Sequence, residues 1–509
     1  MILKYIQMIV HTCFLFSPFF INIFTNENSK FQLFITIHGI LYYSLHIKKI
    51  MYAFLNKLEC YSHMLQEIKK QEKQEQQEDK SICYQNPIIL VVIGYRENVV
   101  YWNQCLESVC NLSTCCLEKI YIIIDGNVSE DFYMYEISVF WKRKSILPFQ
   151  IIPLEHGGKR KAIHHAIETC YRDICNTNKN PKDYFIAFTD SDTILETNSI
   201  HALGVCMRNE GVTSCGVPTG CATGSLRIFN SSSSWICKMM DSRYLYAFGI
   251  ERASQSFWGC MTCCSGPLSI YRLHSFFESD QLLHRFNNQL FMGKKAETGD
   301  DRHMTNLFMQ KGYLSRHNGY AVAHTECPPT LRRFLLQQLR WSRSFYREIF
   351  WMIRCLRSQS SYLSFVFIQE LFYPFLFSFF FIIVLYGGFS YSGYLLFSLL
   401  LSSFLISITN VLFLYILSHD KKSLYHFFYF PFYLCLLFPL KCLAVVTPNS
   451  TGWLTSIRYQ KRMITFLSTD IQDNIVIRDY MDLEFITLFI ITWNSILLGG
   501  FISVFLRYF

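Results

Sequence analysis

An α/β domain on a mainly parallel sheet, combined with an α-helical transmembrane bundle, is the architecture this sequence predicts. Three observations predict it. Half of the 509 residues are apolar (51%) and only 17% are charged, and the mean hydropathy of +0.18 is high for a chain that is soluble throughout. Apolar runs of membrane-spanning length gather at the two ends of the chain. Between them, short β-branched runs alternate with helical stretches, the pattern of strands joined by crossover helices. This composition excludes a disordered or collagen-like chain.

Tyr5 to Phe24 is the first apolar run. A signal peptide is the competing reading, but no small-residue cleavage pattern follows, and a second run, Phe31 to Ile47, comes at once. The two form a transmembrane hairpin over 1–50. Lys48, Lys49 and Lys57 follow it, so the positive-inside rule places the N-terminus and the next domain in the cytosol. Residues 51–84 contain the polar tract QEIKKQEKQEQQEDK, a solvated helix or a linker.

The α/β domain is expected over 85–330. Ile88 to Ile93, Ile120 to Ile124 and Tyr184 to Thr189 read as buried strands. Ligands of such sheets bind at the carboxyl ends of the strands, and those ends carry Tyr95, Asp125, Asp190 and Asp192. The segment 331–360 is basic and aromatic, and reads as a helix lying in the membrane surface.

Further apolar runs follow at 363–386, 389–417, 424–446 and 485–506, with Gly387-Gly388 between the first two and Asp420-Lys421-Lys422 after the second. Pro431, Pro439 and Lys441 suit a simple span poorly. If 424–446 crossed, the basic loop holding Arg458, Lys461, Arg462 and Arg478 would face outside. The run is therefore read as interfacial or re-entrant, so that 361–446 holds two transmembrane helices plus this segment. The loop 447–484 is then cytosolic, and 485–509 is a final outward crossing. That makes five crossings.

The net charge of +9, from 47 Lys and Arg against 38 Asp and Glu, suits anionic headgroups or a phosphate-bearing substrate. No zinc-finger spacing or RNA-recognition motif accompanies it, so no nucleic-acid partner is expected. The twenty cysteines sit mostly in apolar runs or beside candidate site residues, and read as buried thiols in a reducing compartment. Cys260, Cys263 and Cys264 look like half a zinc site, but no second paired CxxC stands at finger-like spacing.

Four motifs carry chemistry. Asp190-Ser191-Asp192 places two carboxylates at a strand end, where both reach one hard cation, Mg²⁺ or Mn²⁺, that would bridge to a diphosphate. Asp-x-Asp alone also occurs in many surface loops. His156-Gly157-Gly158-Lys159-Arg160-Lys161 pairs a close-approach turn with a basic helix start, which attracts phosphate, or is an ordinary loop before a solvated helix. Gly299-Asp300-Asp301-Arg302 offers a carboxylate to take a proton from a hydroxyl, or a helix N-cap. Gln337-Gln338-Leu339-Arg340-Trp341 offers amides, a guanidinium and an indole that suits stacking on a sugar, or an anchoring aromatic among surface arginines.

Taken in order, these motifs resemble the processive, membrane-embedded family 2 glycosyltransferases, the group of cellulose, chitin and hyaluronan synthases. The likeness is strongest to animal hyaluronan synthases. It is carried by GYREN (94–98), CLESV (105–109), FTDSDT (188–193), YAFGIERASQSFWGCMTCCSGPLSIYR (246–272), FMGKKAETGDDRHMTNLFMQKGY (291–313), QQLRWSRSFYRE (337–348), TGWLTSIR (451–458) and LLGG (497–500). It runs from about the second apolar segment almost to the C-terminus.

The resemblance implies a cytosolic GT-A-like domain that polymerises UDP-GlcNAc and UDP-GlcA into hyaluronan, with the growing polysaccharide leaving through the protein's own helices in the plasma membrane. Tyr95 and Asp125 would hold the uracil. Lys159 and Arg160 would meet the phosphates. Asp190 and Asp192 would serve UDP and the metal, with Asp192 the direct ligand. Asp301 would be the general base, with Asp300 beside it. Gln338 and Arg340 would steady the diphosphate, and Trp341 would stack on the acceptor at the pore mouth, with Ser265, Gly266 and Pro267 also on the acceptor side. Trp453 and Arg458 would belong to a gating loop over UDP.

Three departures from the family pattern stand out. Leu454 and Ile457 replace glycines of the gating motif, and Ala296 replaces a cysteine a few residues before Gly299. One crossing follows the gating loop where the family usually has two. Rival readings are a chitin or chito-oligosaccharide synthase using UDP-GlcNAc alone, and a polytopic transporter or inactive scaffold. Intramembrane charge would favour a transporter, yet Glu370 and Lys441 are among the few charges within the apolar runs. A scaffold should have lost Asp192, Asp301 or Trp341, and all three are present.

Overall fold

The computed structural model describes residues 29–75, 86–126, 132–209, 211, 213, 214, 216–278, 281–386, 392–449 and 469–508. The first apolar run, Tyr5 to Phe24, lies outside the described residues, as do Gly387-Gly388 and the stretch 450–468 with Trp453, Leu454, Ile457 and Arg458.

Helix α1 (Ser29–Glu75) takes the second apolar run and most of the polar tract without a break. The boundary expected at residue 50 therefore falls inside one helix. The helix contains no proline, and its polar half is rich in Lys, Glu and Gln, which favour helix on their own. That half is braced against the α/β domain. Asn56 Nδ2 donates to the His317 carbonyl at 3.3 Å, Arg316 Nη1 lies 3.2 Å from Glu59 Oε1, and Arg208 Nη2 lies 3.5 Å from Glu67 Oε1.

The domain opens with β1 (Ile88–Gly94), α2 (Val99–Cys110), β2 (Leu117–Asp125), α3 (Phe132–Lys144), β3 (Phe149–Leu154), α4 (Lys159–Asn176) and β4 (Phe185–Asp190). It continues with β5 (Ile194–Leu195), α5 (Ser199–Arg208) and β6 (Thr219–Ile228). Then come α6 (Trp235–Tyr246), a π-helical turn over Ala247–Arg252, α7 (Ala253–Phe257), β7 (Ser269–Arg272), α8 (Leu282–Asn287), β8 (Leu290–Phe291), β9 (Lys294–Lys295), α9 (Asp300–Gln310) and β10 (Leu314–Thr325).

Eight of the strands form one sheet in the order β3-β2-β1-β4-β7-β6-β10-β5. The three strands read from the sequence are its centre, β2-β1-β4, all parallel. β3 and the β6–β10 pair are also parallel, while β7 and β5 run against their neighbours. Strand β1 is buried along its whole length. Its residues alternate between two cores: Ile88, Leu90 and Val92 pack with Trp102 and Leu106 of α2, and Ile89, Val91 and Ile93 pack with Ala166 and Ile167 of α4. Burial on both faces explains why IILVVI is a continuous apolar run and not an alternating one. In the β1–β4 register Ile93 stands opposite Asp190, so both strands end at one rim.

The membrane-side helices follow: α10 (Leu331–Cys355), α11 (Ser361–Tyr386, with Pro374 inside), α12 (Ser392–Ser418), a segment over 421–446, and α15 (Thr469–Tyr508). The segment 421–446 is not one regular helix. A 3-10 stretch (Lys421–Phe428), α13 (Tyr429–Phe432), a π turn (Tyr433–Leu437) and α14 (Phe438–Val446) succeed one another, with Pro431 and Pro439 removing backbone donors on the way. Among the described residues four helical stretches are long and apolar enough to cross a membrane: Ser361–Tyr386, Leu399–Ile416, Lys421–Val446 and Leu483–Arg507. One expectation is corrected here. The loop expected over 447–484 does not run to 484, because α15 already begins at Thr469, in a polar stretch free of proline and glycine that continues the helix ahead of its apolar part.

Candidate active site

The carboxyl ends of β1, β2 and β4 open onto one large cavity of about 2150 Å³. Asp125 ends β2 and is almost fully buried. Its carboxylate holds the turn before α4: Oδ1 accepts from Gly157 N at 2.8 Å and Oδ2 from Gly158 N at 3.0 Å. Gly158 sits at φ +87°, a conformation that suits glycine. His156 Nδ1 lies 3.2 Å from Asp125 Oδ2, and the His156 ring stacks on Tyr95 with 4.1 Å between centroids. The hydrogen bond to Asp125 raises the His156 pKa above its ordinary value of 6.5. Asp125 is therefore committed to the glycine turn, and Tyr95 and His156 form the flat surface at this end of the cavity.

Lys159 and Arg160 diverge, as consecutive residues of a helix must. Lys159 Nζ lies 2.5 Å from Asp190 Oδ1 and 3.7 Å from Asp300 Oδ2. Burial opposes its charge, but Asp190, Asp300 and Asp301 hold the ammonium above its ordinary range. Burial also pushes the Asp190 carboxyl up, and Lys159 opposes that shift. Arg160 turns inward: it is buried, its Nη1 donates to the Phe286 carbonyl at 2.7 Å, and burial lowers its pKa.

Asp190 and Asp192 both line the cavity. Between them Ser191 Oγ donates to Glu97 Oε2 at 2.9 Å, and Glu97 Oε1 accepts from Asn98 N at 2.8 Å, so a buried glutamate fixes the turn. Among the described residues no three His, Cys, Asp or Glu side chains gather as a ligand set. Two carboxylates at one strand end, with hard oxygen donors only, still fit Mg²⁺ or Mn²⁺, which take few protein ligands and complete their shell with phosphate oxygens and water.

Ser265, Gly266 and Pro267 precede β7 and cross the same rim. Gly266 packs so closely that a β-carbon there would stand 3.1 Å from Lys159 Nζ and 3.3 Å from Asp190 Oδ2. The Pro267 carbonyl accepts from Thr189 Oγ1 at 2.9 Å, and Ser265 Oγ meets Arg252 Nη1. The tripeptide thus touches the Lys159–Asp190 pair, not an acceptor side alone.

Asp300 and Asp301 open α9. Asp300 is buried beside Lys159. Asp301 is partly open; its Oδ1 accepts from Arg302 N at 2.7 Å and its Oδ2 lies 3.5 Å from Cys263 Sγ. Burial, then the Asp301 charge, hold the Cys263 thiol protonated, so it donates to Asp301. Gly299 has φ +83°, and a β-carbon there would lie 2.1 Å from Ser344 Oγ of α10. Gln338, Arg340 and Trp341 of α10 line the cavity, and Trp341 is 38% exposed. Gln338 Nε2 is buried with no hydrogen-bond partner among the described residues.

The cavity thus unites every expected site residue that falls among the described ones; Trp453 and Arg458 lie outside them. It also extends to Tyr373, Pro374 and Phe377 of α11 and Leu399 and Ser403 of α12. Sequence reading overlooked Glu97, which stands inside GYREN, and Arg347 and Glu348, which stand inside SRSFYRE. It also overlooked Lys49, Arg243 and Glu251, which line the cavity near Glu370 and Lys441. Their signal was charge placed beside or within apolar stretches, which implies burial with partners.

Comparison with known proteins agrees with this geometry. The profile of Glycosyl transferase family group 2 matches residues 185–444. The chain is 30% identical to Hyaluronan synthase 2 of Bos taurus over 414 residues, 73% of this chain and 70% of that protein. It is 29% identical to Hyaluronan synthase 3 of Mus musculus over 419 residues, 74% of this chain and 71% of that protein. Among solved structures, the mannosyltransferase PcManGT from Pyrobaculum calidifontis, in complex with GDP-Man and Mn²⁺, aligns with TM-score 0.42 and 12% identity over 79% of this chain and 100% of that one. Carboxylates at the rim of a mainly parallel sheet, apolar helices long enough to span a membrane, the family profile and the two hyaluronan synthases together place the chain in the hyaluronan synthase family, as an integral membrane UDP-sugar glycosyltransferase.

Proposed function

We propose that the chain is a processive, inverting transferase that polymerises UDP-GlcNAc and UDP-GlcA into hyaluronan and extrudes the product through its own helices. The observation that carries this reading is the single cavity that begins at Asp125, Asp190 and Asp301 and extends between α11 and α12. A chain elongated at Asp301 has a continuous path toward the membrane-side helices.

Tyr95 and the turn held by Asp125 receive the uracil. Lys159 and Arg340, with Arg458 of the gating loop and Gln338, receive the diphosphate; Arg160 supports α4 from behind through Phe286. Asp190 and Asp192 hold Mg²⁺ or Mn²⁺, which when bound supplies positive charge to the diphosphate. The acceptor sugar stacks on Trp341. Its hydroxyl attacks the anomeric carbon from the face opposite UDP, Asp301 takes the hydroxyl proton, and the bond to the diphosphate oxygen breaks with inversion. Lys159 and Arg340 neutralise charge on the departing UDP. Ser265, Gly266 and Pro267 shape the floor between diphosphate and acceptor.

The orientation follows the positive-inside rule: a cytosolic α/β domain, α10 and 424–446 at the membrane surface, and the protein in the plasma membrane. The test is incubation of membranes holding the full chain with Mg²⁺ or Mn²⁺ and UDP-GlcNAc, UDP-GlcA, or both. High-mass, hyaluronidase-sensitive product formed only with both sugars supports the reading. Chitinase-sensitive product from UDP-GlcNAc alone makes it a chitin-type synthase instead. Capture of product inside sealed inverted vesicles tests extrusion.

A further inference from the structure

Helix α10 has two working faces. Its first half presents Gln338, Arg340 and Trp341 to the cavity. Its second half grips the turn and helix that carry Asp301. Ser344 stands against Gly299, where a β-carbon would be 2.1 Å from Ser344 Oγ. Arg347, 2% exposed, donates to the Thr298 carbonyl and, at 3.0 Å, to Thr298 Oγ1.

Glu348, fully buried, is the centre of this grip. Its Oε1 accepts from Gln289 Nε2 at 2.5 Å. Its Oε2 accepts from Asn306 Nδ2 at 3.1 Å and lies 3.1 Å from His303 Nδ1. Three donors from three positions thus converge on one carboxylate, two of them one turn apart on α9, immediately after Asp301. Burial works against the Glu348 charge, and His303, Gln289 and Asn306 more than offset it, holding the carboxyl below its ordinary range. A neutral amide at this position would turn one of its acceptors into a donor facing other donors, and would loosen α9 from α10.

We propose that Glu348 is a positioning residue for Asp301: by fixing His303 and Asn306 to α10 it sets the general base in register with Gln338, Arg340 and Trp341 on the same helix. The inference rests on the reading of Asp301 as the base. Glu348 is not among the residues that line the cavity, so it acts on the reaction through other residues.

The test is a double-mutant cycle on the full-length membrane protein. Glu348→Gln is expected to lower kcat for polymer synthesis by about 10- to 100-fold, since displacing a reacting group by about 1 Å can cost 10²-fold. KM for both UDP-sugars and the Kd for UDP should stay within about twofold, because binding geometry is untouched. Combined with Asp301→Asn, Glu348→Gln should add little further loss, since it acts through that carboxylate. His303→Asn, which removes one arm from the α9 side, should lower kcat in the same direction and serves if Glu348→Gln does not fold. Unchanged kcat, a parallel rise in KM and Kd, or full additivity with Asp301→Asn would each overturn the proposal. Wild-type synthesis by Asp301→Asn alone would overturn the base assignment instead, and the two failures are distinct.

Discussion

Lys159 Nζ sits 2.5 Å from Asp190 Oδ1, and Gly266 closes over the pair so tightly that a β-carbon there would stand 3.1 Å from the ammonium and 3.3 Å from the carboxylate. The carboxylate proposed to serve the metal is thus neutralised by a lysine. The proposal that Asp192, two residues on and also lining the cavity, is the direct metal ligand gives a first prediction. A chelator should abolish synthesis, and Mg²⁺ or Mn²⁺ should restore it. Asp192→Asn should raise the metal concentration for half-maximal synthesis by at least about tenfold, equivalent to about 1.4 kcal/mol. A metal titration of UDP release measures both.

The two aspartates of α9 should separate by role. Asp300 is buried beside Lys159, whereas Asp301 is partly open to the cavity. Asp301→Asn should lower turnover by about 10²–10⁴, the usual worth of a general base, with UDP affinity kept. Asp300→Asn removes a buried partner of Lys159 and should weaken UDP binding as well as turnover. Isothermal titration with UDP beside radiolabelled sugar incorporation tells the two patterns apart.

How far this site was legible in the sequence depends on the residue. Asp125, Asp190 and Asp301 were legible because each closes a strongly patterned element: an apolar strand, or a glycine turn opening a helix. Their partners were not. Nothing in the local pattern says that Asp125 spends both oxygens on Gly157 and Gly158, or that Arg160 turns to Phe286 while Lys159 turns to Asp190. Those facts depend on which loop the sheet brings opposite, a long-range property. Glu348 illustrates it: its partners lie 42 to 59 positions away in the chain. The early start of α15 was missed for the opposite reason. Its polar first turns lack the apolar periodicity that marks a buried helix, so helix and loop looked alike.

Gly299 should tolerate no side chain. An alanine there would adopt φ +83° at a cost of about 1–2 kcal/mol and would collide with Ser344 Oγ at 2.1 Å. Gly299→Ala is expected to lower the thermal midpoint of the detergent-solubilised protein and to cut synthesis at least about tenfold. Adding Ser344→Ala relieves the collision but not the backbone strain, so recovery should be partial.

His156 gives a pH dependence of defined sign. Its hydrogen bond to Asp125 raises its folded-state pKa above 6.5. A raised histidine pKa contributes stability that is fully present below the unfolded value of 6.5 and is lost as pH rises through the folded value. The turn at 156–158 should therefore be held more firmly at mildly acidic pH. An NMR titration of the His156 ring should give a midpoint above 6.5 in the wild type, and Asp125→Asn should return it toward 6.5. A wild-type midpoint at or below 6.5 would contradict the Asp125–His156 contact.

Trp341 should matter for the acceptor and not for UDP. It is 38% exposed on the cavity side of α10, so part of its ring is open to a ligand. Neighbouring Leu339 is fully buried and anchors the same turn of helix. Trp341→Ala should therefore leave UDP affinity nearly unchanged, raise the acceptor concentration needed for elongation, and shorten the polymer because the chain leaves the site between additions. Size-exclusion profiles of the product, read beside UDP release, separate this from a fault in chemistry: shorter chains with near-normal UDP release point to the acceptor site, and full-length chains made slowly point away from it.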